Sequence, residues 1–170
     1  LCWEVADVDT SVTIEPAYGA LDEIRALFAA YTAMLVACDP SFQRYLDIQH
    51  YDDEVRDPAA KYGPPDGRLY LARLPDGTAA GCIALRRLDG ARCEMKRLYV
   101  RPEYRGRGIA RRLIRKLTDD ARQLGYHHLL LDTLPALEEA VRLYRRLGVY
   151  EIPCYNDGPV DSTLFFQLDL

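Results

Sequence analysis

The stretch from residue 92 to 133 constrains this chain more than any other. An apolar strand over 92–100 runs into a turn with Pro102, glycines follow at 106 and 108, and a long helix opens behind them. Ile109, Ala110, Leu113, Ile114, Leu117, Ala121 and Leu124 recur at helical spacing, so one face of a helix over 108–124 must be buried. Gly125 is placed to end that helix as a C-cap residue. The run Leu129-Leu130-Leu131 then marks a buried strand over 127–133. Strand, helix and strand in this order make a crossover, which should be right-handed with its two strands parallel.

The flanking sequence supplies the rest of a fold. Residues 12–15 alternate weakly, as a short strand would. Residues 19–37 carry a helical stripe of Leu21, Ile24, Leu27, Phe28, Tyr31 and Leu35, and 40–49 read as a second, short helix. Residues 51–67 are polar and broken by Pro58, Pro64-Pro65 and Gly67, so they read as a long loop of the kind that often carries function. Strands over 68–74 and 78–87 form a hairpin about Pro75-Asp76-Gly77, and the 92–100 strand follows the Asp89-Gly90 turn. A helix over 136–147 stops at Gly148, and 149–154 and 163–170 close as strands. The order predicts an α/β (α+β) fold with a mixed, mostly antiparallel central sheet of about seven strands flanked by helices. At 170 residues and 49% hydrophobic, the chain can bury one full core and is read as a single domain.

Composition narrows the function classes. No apolar run approaches the roughly 20 residues of a membrane helix, so no membrane partner is expected. The opening Leu1-Cys2-Trp3-Glu4 lacks a basic region and an apolar stretch, so no signal peptide is expected, and Leu at position 1 suggests a missing start. Cys2, Cys38, Cys82, Cys93 and Cys154 are scattered, without Cys-x-x-Cys or Cys/His clusters. That argues against a metal site or a disulfide framework and for a reducing, cytoplasmic setting.

The net charge of −4 hides an asymmetry. Residues 1–85 hold 14 acids and 6 bases, whereas residues 86–170 hold 12 acids and 16 bases. The excess concentrates at Arg101, Arg105, Arg107, Arg111, Arg112, Arg115 and Lys116, around the two glycines. Helix N-termini present free N–H groups and a positive dipole end, and glycine lets a ligand approach the backbone. The segment is therefore a plausible cradle for phosphate. It fits neither the Gly-Lys-Ser/Thr pattern of nucleotide-triphosphate loops nor the three-glycine dinucleotide pattern. In an acidic chain without interleaved aromatics it points to a small anionic ligand rather than nucleic acid.

Arg105-x-x-Gly108-x-Ala110 matches the Arg/Gln-x-x-Gly-x-Gly/Ala signature of the GNAT family of N-acetyltransferases, and it sits between a strand and an amphipathic helix as in that family. The preceding Glu94-Met95-Lys96-Arg97-Leu98-Tyr99-Val100 resembles the family's fourth strand. Ala140-Val141-Arg142-Leu143-Tyr144-Arg145-Arg146-Leu147-Gly148 resembles its second motif, with Val149-Tyr150 following where Phe is usual. The resemblance covers residues 68–170 well, with 68–153 as a cofactor-binding core and 1–67 as variable acceptor-side helices. It implies acetyl-CoA as cosubstrate and no metal. The pyrophosphate would lie on the N–H groups of Arg105, Gly106, Arg107, Gly108, Ile109 and Ala110. The pantetheine arm would pair with the fourth strand at Leu98, Tyr99 and Val100, in a gap between the fourth and fifth strands. The acidic half would then face an amine acceptor, and dimers in the family leave a homodimer open.

Transfer to an amine needs a free lone pair, and a lysine-like amine is neutral in only about one molecule in 2,500 at pH 7. A base or a water chain must take the proton. Glu94 stands at the spacing where some family members carry their base. Alternation would put Lys96 on the same face and weaken it, unless a strand bulge separates the two. Tyr144 matches the family's general acid near the CoA sulfur, although it also belongs to the packing stripe of Ala140, Val141 and Leu147. The oxyanion donor is expected at Leu98 or Tyr99. Asp132-Thr133 could face the site or cap the next helix. Tyr155 and Asn156 could line the acceptor mouth; Tyr51, Glu54 and Tyr62 could contact the acceptor but read by default as exposed loop residues, and His127 and His128 read as surface or structural. Cys93 should point into the core. The leading expectation is an N-acetyltransferase working by direct attack in a ternary complex; a non-catalytic acyl-CoA-binding module is the alternative.

Overall fold

A computed structural model describes residues 11–48, 50–157 and 161–170. The opening Leu1-Cys2-Trp3-Glu4, with its cysteine, and the last residue of the expected second helix lie outside the described residues. The strands are β1 (Thr13–Pro16), β2 (Arg68–Arg73), β3 (Ala79–Arg87), β4 (Arg92–Val100), β5 (His128–Thr133), β6 (Tyr150–Ile152) and β7 (Leu164–Asp169). The helices are α1 (Leu21–Cys38), α2 (Phe42–Ile48), α3 (Tyr51–Arg56), α4 (Pro58–Tyr62), α5 (Ile109–Gln123) and α6 (Glu138–Arg146).

The seven strands form one sheet in the order β1-β2-β3-β4-β5-β7-β6. Every pairing is antiparallel except β4 with β5, which α5 connects as the expected parallel crossover. Alternation sorts the strand residues to two faces. Ile83, Leu85, Cys93, Met95, Leu129 and Leu131 meet Ile109, Leu113 and Leu117 of α5 on one side. Leu69, Leu71, Cys82, Ala84 and Tyr99 meet Ile24, Leu27 and Phe28 of α1 on the other. A third cluster packs Leu35, Phe42, Tyr45 and Leu46 against Leu134, which seats α2 over the end of β5.

The expected loop over 51–67 is instead largely helical. Pro58 occupies the first turn of α4, where its missing N–H costs nothing. The Asp57 carboxylate accepts from Ala60 N at 3.2 Å. Arg25 of α1 donates from Nε to Val55 O at 2.9 Å and from Nη2 to Arg56 O at 3.1 Å, covering the open end of α3. Neither Glu54 nor Tyr62 is exposed as expected: both are buried.

Glu54 is buried because Arg97 meets it. Arg97 Nε donates to Glu54 Oε1 at 2.6 Å and Nη2 to Oε2 at 3.0 Å, and Lys61 Nζ donates to Oε2 at 2.6 Å. Burial alone would raise the Glu54 pKa, but Arg97 and Lys61 hold it down to about 2. The pair pins α3 and α4 to β4. Removing one partner of a buried ion pair leaves the other charge stranded. Glu54→Gln should therefore lower unfolding free energy in urea by about 3–5 kcal/mol. Because the folded pKa lies below the ordinary value of 4.5, this stabilisation is present above 4.5 and is lost as pH falls toward about 2. The variant's stability should vary less than the parent's across that window, and an unchanged acid profile would contradict the assignment.

Candidate active site

The phosphate-type loop forms where β4 ends. Arg101 N donates to Ala80 O at 2.8 Å, closing the β3–β4 ladder. A short 3-10 turn (Pro102–Tyr104) follows. Arg105 Nε then reaches back to Val100 O at 3.0 Å, with its guanidinium 5.9 Å from the Tyr99 ring centroid. This arginine braces the loop against the strand. Gly106 has φ +77° and Gly108 φ +73°, both in the left-handed region that disfavours a side chain. Gly108 caps α5 without any side-chain hydrogen bond. The N–H groups of Gly106, Gly108, Ile109 and Ala110 have no backbone acceptor among the described residues. They form an N-terminal cluster of donors at the positive end of α5.

Beside this loop the sheet opens. β4 and β5 pair only at Arg92↔His128, Cys93↔Leu129 and Glu94↔Leu130. From Met95 to Val100, β4 has no strand partner on that edge among the described residues. Because Arg101 N points to β3, alternation turns the backbone groups of Val100 and Leu98 toward the open edge and those of Tyr99 toward β3. Of the three strand residues expected at the cofactor, Leu98 and Val100 thus present backbone to the gap. Tyr99 instead sends its side chain to α1, with ring centroids 5.9 Å from Tyr31.

A bulge shapes the other side of the gap. The β3–β4 register shifts between Cys82 and Ala84, and Arg97 adopts φ +58°. The extra residue leaves Lys96 and Arg97, consecutive in sequence, on the same face. Both line a cavity together with Tyr31, Tyr45, Asp132 and Tyr144. The bulge falls after Lys96, so it does not separate Lys96 from Glu94: Lys96 Nζ lies 3.7 Å from Glu94 Oε1 and 3.1 Å from Asp132 Oδ1.

Glu94 is fully buried. Its carboxylate accepts from Arg86 Nε across the β3–β4 ladder and from the Tyr155 hydroxyl at 2.8 Å. It does not line the cavity; Asp132 does. The Tyr45 hydroxyl donates to Asp132 Oδ2 at 2.6 Å, and Asn156 Nδ2 donates to the same oxygen at 3.0 Å. Burial would raise the Asp132 pKa, but Lys96 and these donors bring it down to about 2. Asp132 is thus a wall of the site and not a cap of α6, whose first turn has no side-chain cap. Tyr155 and Asn156 each hold one of the two carboxylates. Tyr144 is buried, packs its ring against Phe166 at 6.3 Å, and makes no hydrogen bond through its hydroxyl among the described residues. Burial pushes its pKa well up, so the hydroxyl stays protonated. Cys93 lies in the core on the α5 side, and His128 pairs with Asp169 near the surface, 3.0 Å away.

The loop geometry can be tested without any ligand. An added Cβ at Gly106 would meet nothing within 4 Å, so Gly106→Ala reads backbone strain alone. The variant should lose about 1–2 kcal/mol in urea unfolding. A neutral or stabilising effect would show that the loop does not hold this left-handed turn in solution.

The comparisons with known proteins agree with this architecture. The family described as "Acetyltransferase (GNAT) family" matches residues 27–149. An uncharacterized N-acetyltransferase of Schizosaccharomyces pombe is 38% identical over 151 residues, covering 88% of each chain. A GNAT-family acetyltransferase structure from Staphylococcus aureus superposes with a TM-score of 0.73 at 18% identity, over 93% of this chain and 98% of its own. Another, from Elizabethkingia anophelis with acetyl-CoA bound, gives 0.62 at 19% identity over 95% and 100% of the two chains. These two share the fold. With the family match spanning most of the chain and a relative of that identity over nearly its whole length, the chain belongs to the GNAT acetyltransferase family.

Proposed function

We propose that the protein is an acetyl-CoA-dependent N-acetyltransferase acting on a primary amine by direct attack in a ternary complex. One observation carries this reading: a donor-rich helix N-terminus stands beside an unpaired strand edge, and that edge borders a cavity containing a tyrosine hydroxyl. Gly106, Gly108, Ile109 and Ala110 offer N–H groups for a pyrophosphate, and Arg105 and Arg107 belong to the same loop. Leu98 and Val100 offer strand-type hydrogen bonds to an amide-bearing arm. The residues present fit acetyl-CoA, which supplies the activated acetyl thioester. The names of relatives support the same chemistry: a 36% identical Azospirillum brasilense protein, matched over 62% of this chain, is an IAA acetyltransferase. No described helix is long and apolar enough to cross a membrane. Cys38, Cys82, Cys93 and Cys154 are all unpaired, which supports a reducing, cytoplasmic setting.

The chain's own groups divide the work as follows. Leu98 N–H, on the open edge, meets the negative charge that develops on oxygen during acyl transfer. Tyr144 faces the departing sulfur. A thiol pKa near 8.5 lies far below that of this buried tyrosine, so the hydroxyl stabilises thiolate chiefly by donating a hydrogen bond. Glu94 is the proposed base. Its carboxylate accepts from Arg86 and Tyr155, and Lys96 Nζ stands 3.7 Å away, so the proton must reach it past Lys96.

Thiol release with saturating acetyl-CoA tests these roles. Glu94→Gln and Tyr144→Phe should each lower kcat by at least tenfold, since acid–base groups usually contribute about 10²–10⁴. If Glu94→Gln is mild and Asp132→Asn is severe, the base role passes to Asp132, the one carboxylate lining the cavity among the described residues. Transfer unaffected by all three would overturn the assignments. Tight acetyl-CoA binding without any transfer would favour the non-catalytic acyl-CoA module.

A further inference from the structure

We infer that the acceptor is an amine that also carries a carboxylate, received by Lys96 and Arg97; this rests on the N-acetyltransferase reading above. The bulge turns two consecutive cations into one cavity. Their side chains are only 5% and 3% exposed. Yet neither is fully spent. Lys96 has three N–H donors but, among the described residues, only Asp132 Oδ1 within hydrogen-bond distance, at 3.1 Å; Glu94 Oε1 stands off at 3.7 Å. Arg97 gives one bond each from Nε and Nη2 to Glu54, and its Nη1 makes none among the described residues.

The local charge points the same way. Lys61, Arg86, Lys96 and Arg97 are cationic, against Glu54, Glu94 and Asp132, so the described cluster carries one positive charge in excess. Asp132, the carboxylate nearest an incoming ligand, is already met by Lys96, Tyr45 and Asn156. A carboxylate on the acceptor would balance the cluster and use the idle donors of both cations, the guanidinium being suited to a planar two-oxygen group. Tyr31, Leu35 and Phe42 provide an apolar wall for the remainder of such an acceptor. Amino acids and short peptides with a free amine have this chemistry; simple alkylamines and polyamines do not.

The test is binding to the CoA-saturated protein, read by calorimetry. The probes are pairs that differ only in the carboxylate: phenylalanine with phenylethylamine, tyrosine with tyramine, leucine with isopentylamine and lysine with cadaverine. At least one acid should bind tenfold or more tightly than its decarboxylated partner, as charge-assisted hydrogen bonds imply. Lys96→Gln should remove that preference while leaving CoA affinity unchanged. The comparison on the unmodified protein stands even if the variant folds poorly. The proposal is overturned if every decarboxylated amine binds as tightly as its acid, or if no acid binds at about 10 mM. Thiol release from the same probes with acetyl-CoA separates the two claims. Acids that bind without releasing thiol would leave the carboxylate site standing and remove the transferase reading. Release from amines without a carboxylate preference would do the reverse.

Discussion

The short ladder between β4 and β5 is the constraint on which the rest of the structure depends. Three residue pairs join the strands, and then the sheet parts. An open edge inside a sheet leaves backbone donors and acceptors unpaired, which is costly unless water or a ligand meets them. Here the opening lies beside the N-terminus of α5, where more N–H groups lack a backbone acceptor among the described residues. Two sets of unsatisfied backbone groups therefore converge on one gap. That convergence gives a largely backbone site its recognition chemistry, with side chains such as Arg105 bracing rather than reaching.

On the other side of the gap the organising element is the bulge at Arg97. It breaks alternation at one point, so Glu94, Lys96 and Arg97 all face the helices of the first 67 residues. The Arg97–Glu54 pair binds α3 to β4, and the Tyr45–Asp132 hydrogen bond binds α2 to β5. The loop after β6 adds Tyr155 and Asn156, each on one carboxylate. Three separate segments are thus stitched to the two splayed strands by polar contacts. Exchanging those segments would reshape the cavity beside Lys96 and Asp132 while leaving the α5 loop untouched.

Much of this was legible in the residues. Turn signals, a leucine run, a short alternation and helical stripes located all seven strands and the long helices. The glycines at 106 and 108 marked a backbone-lined loop, and they do adopt left-handed φ. The helices α3 and α4 were not legible. They are six and five residues long, too short for a periodic signal, and Pro58 read as a breaker although it starts α4. The burial of Glu54 was hidden for a different reason: its partner Arg97 is 43 residues away, and nothing local predicts the pairing. Asp132 did leave a trace, as a charged residue closing a run of leucines, but its three donors come from α2, β4 and the loop after β6. Spacing located Glu94, whereas its enclosure by Arg86 and Tyr155 emerges only in three dimensions.

The most direct test of the central claim is a calorimetric titration of the protein with acetyl-CoA, alongside acetyl-pantetheine, which lacks the pyrophosphate. If the α5 loop cradles the phosphates, acetyl-CoA should bind saturably and at least about a hundredfold more tightly than acetyl-pantetheine, a difference of roughly 2.7 kcal/mol. Equal binding of the two would contradict the loop assignment, and no binding of acetyl-CoA at millimolar concentration would contradict the account as a whole.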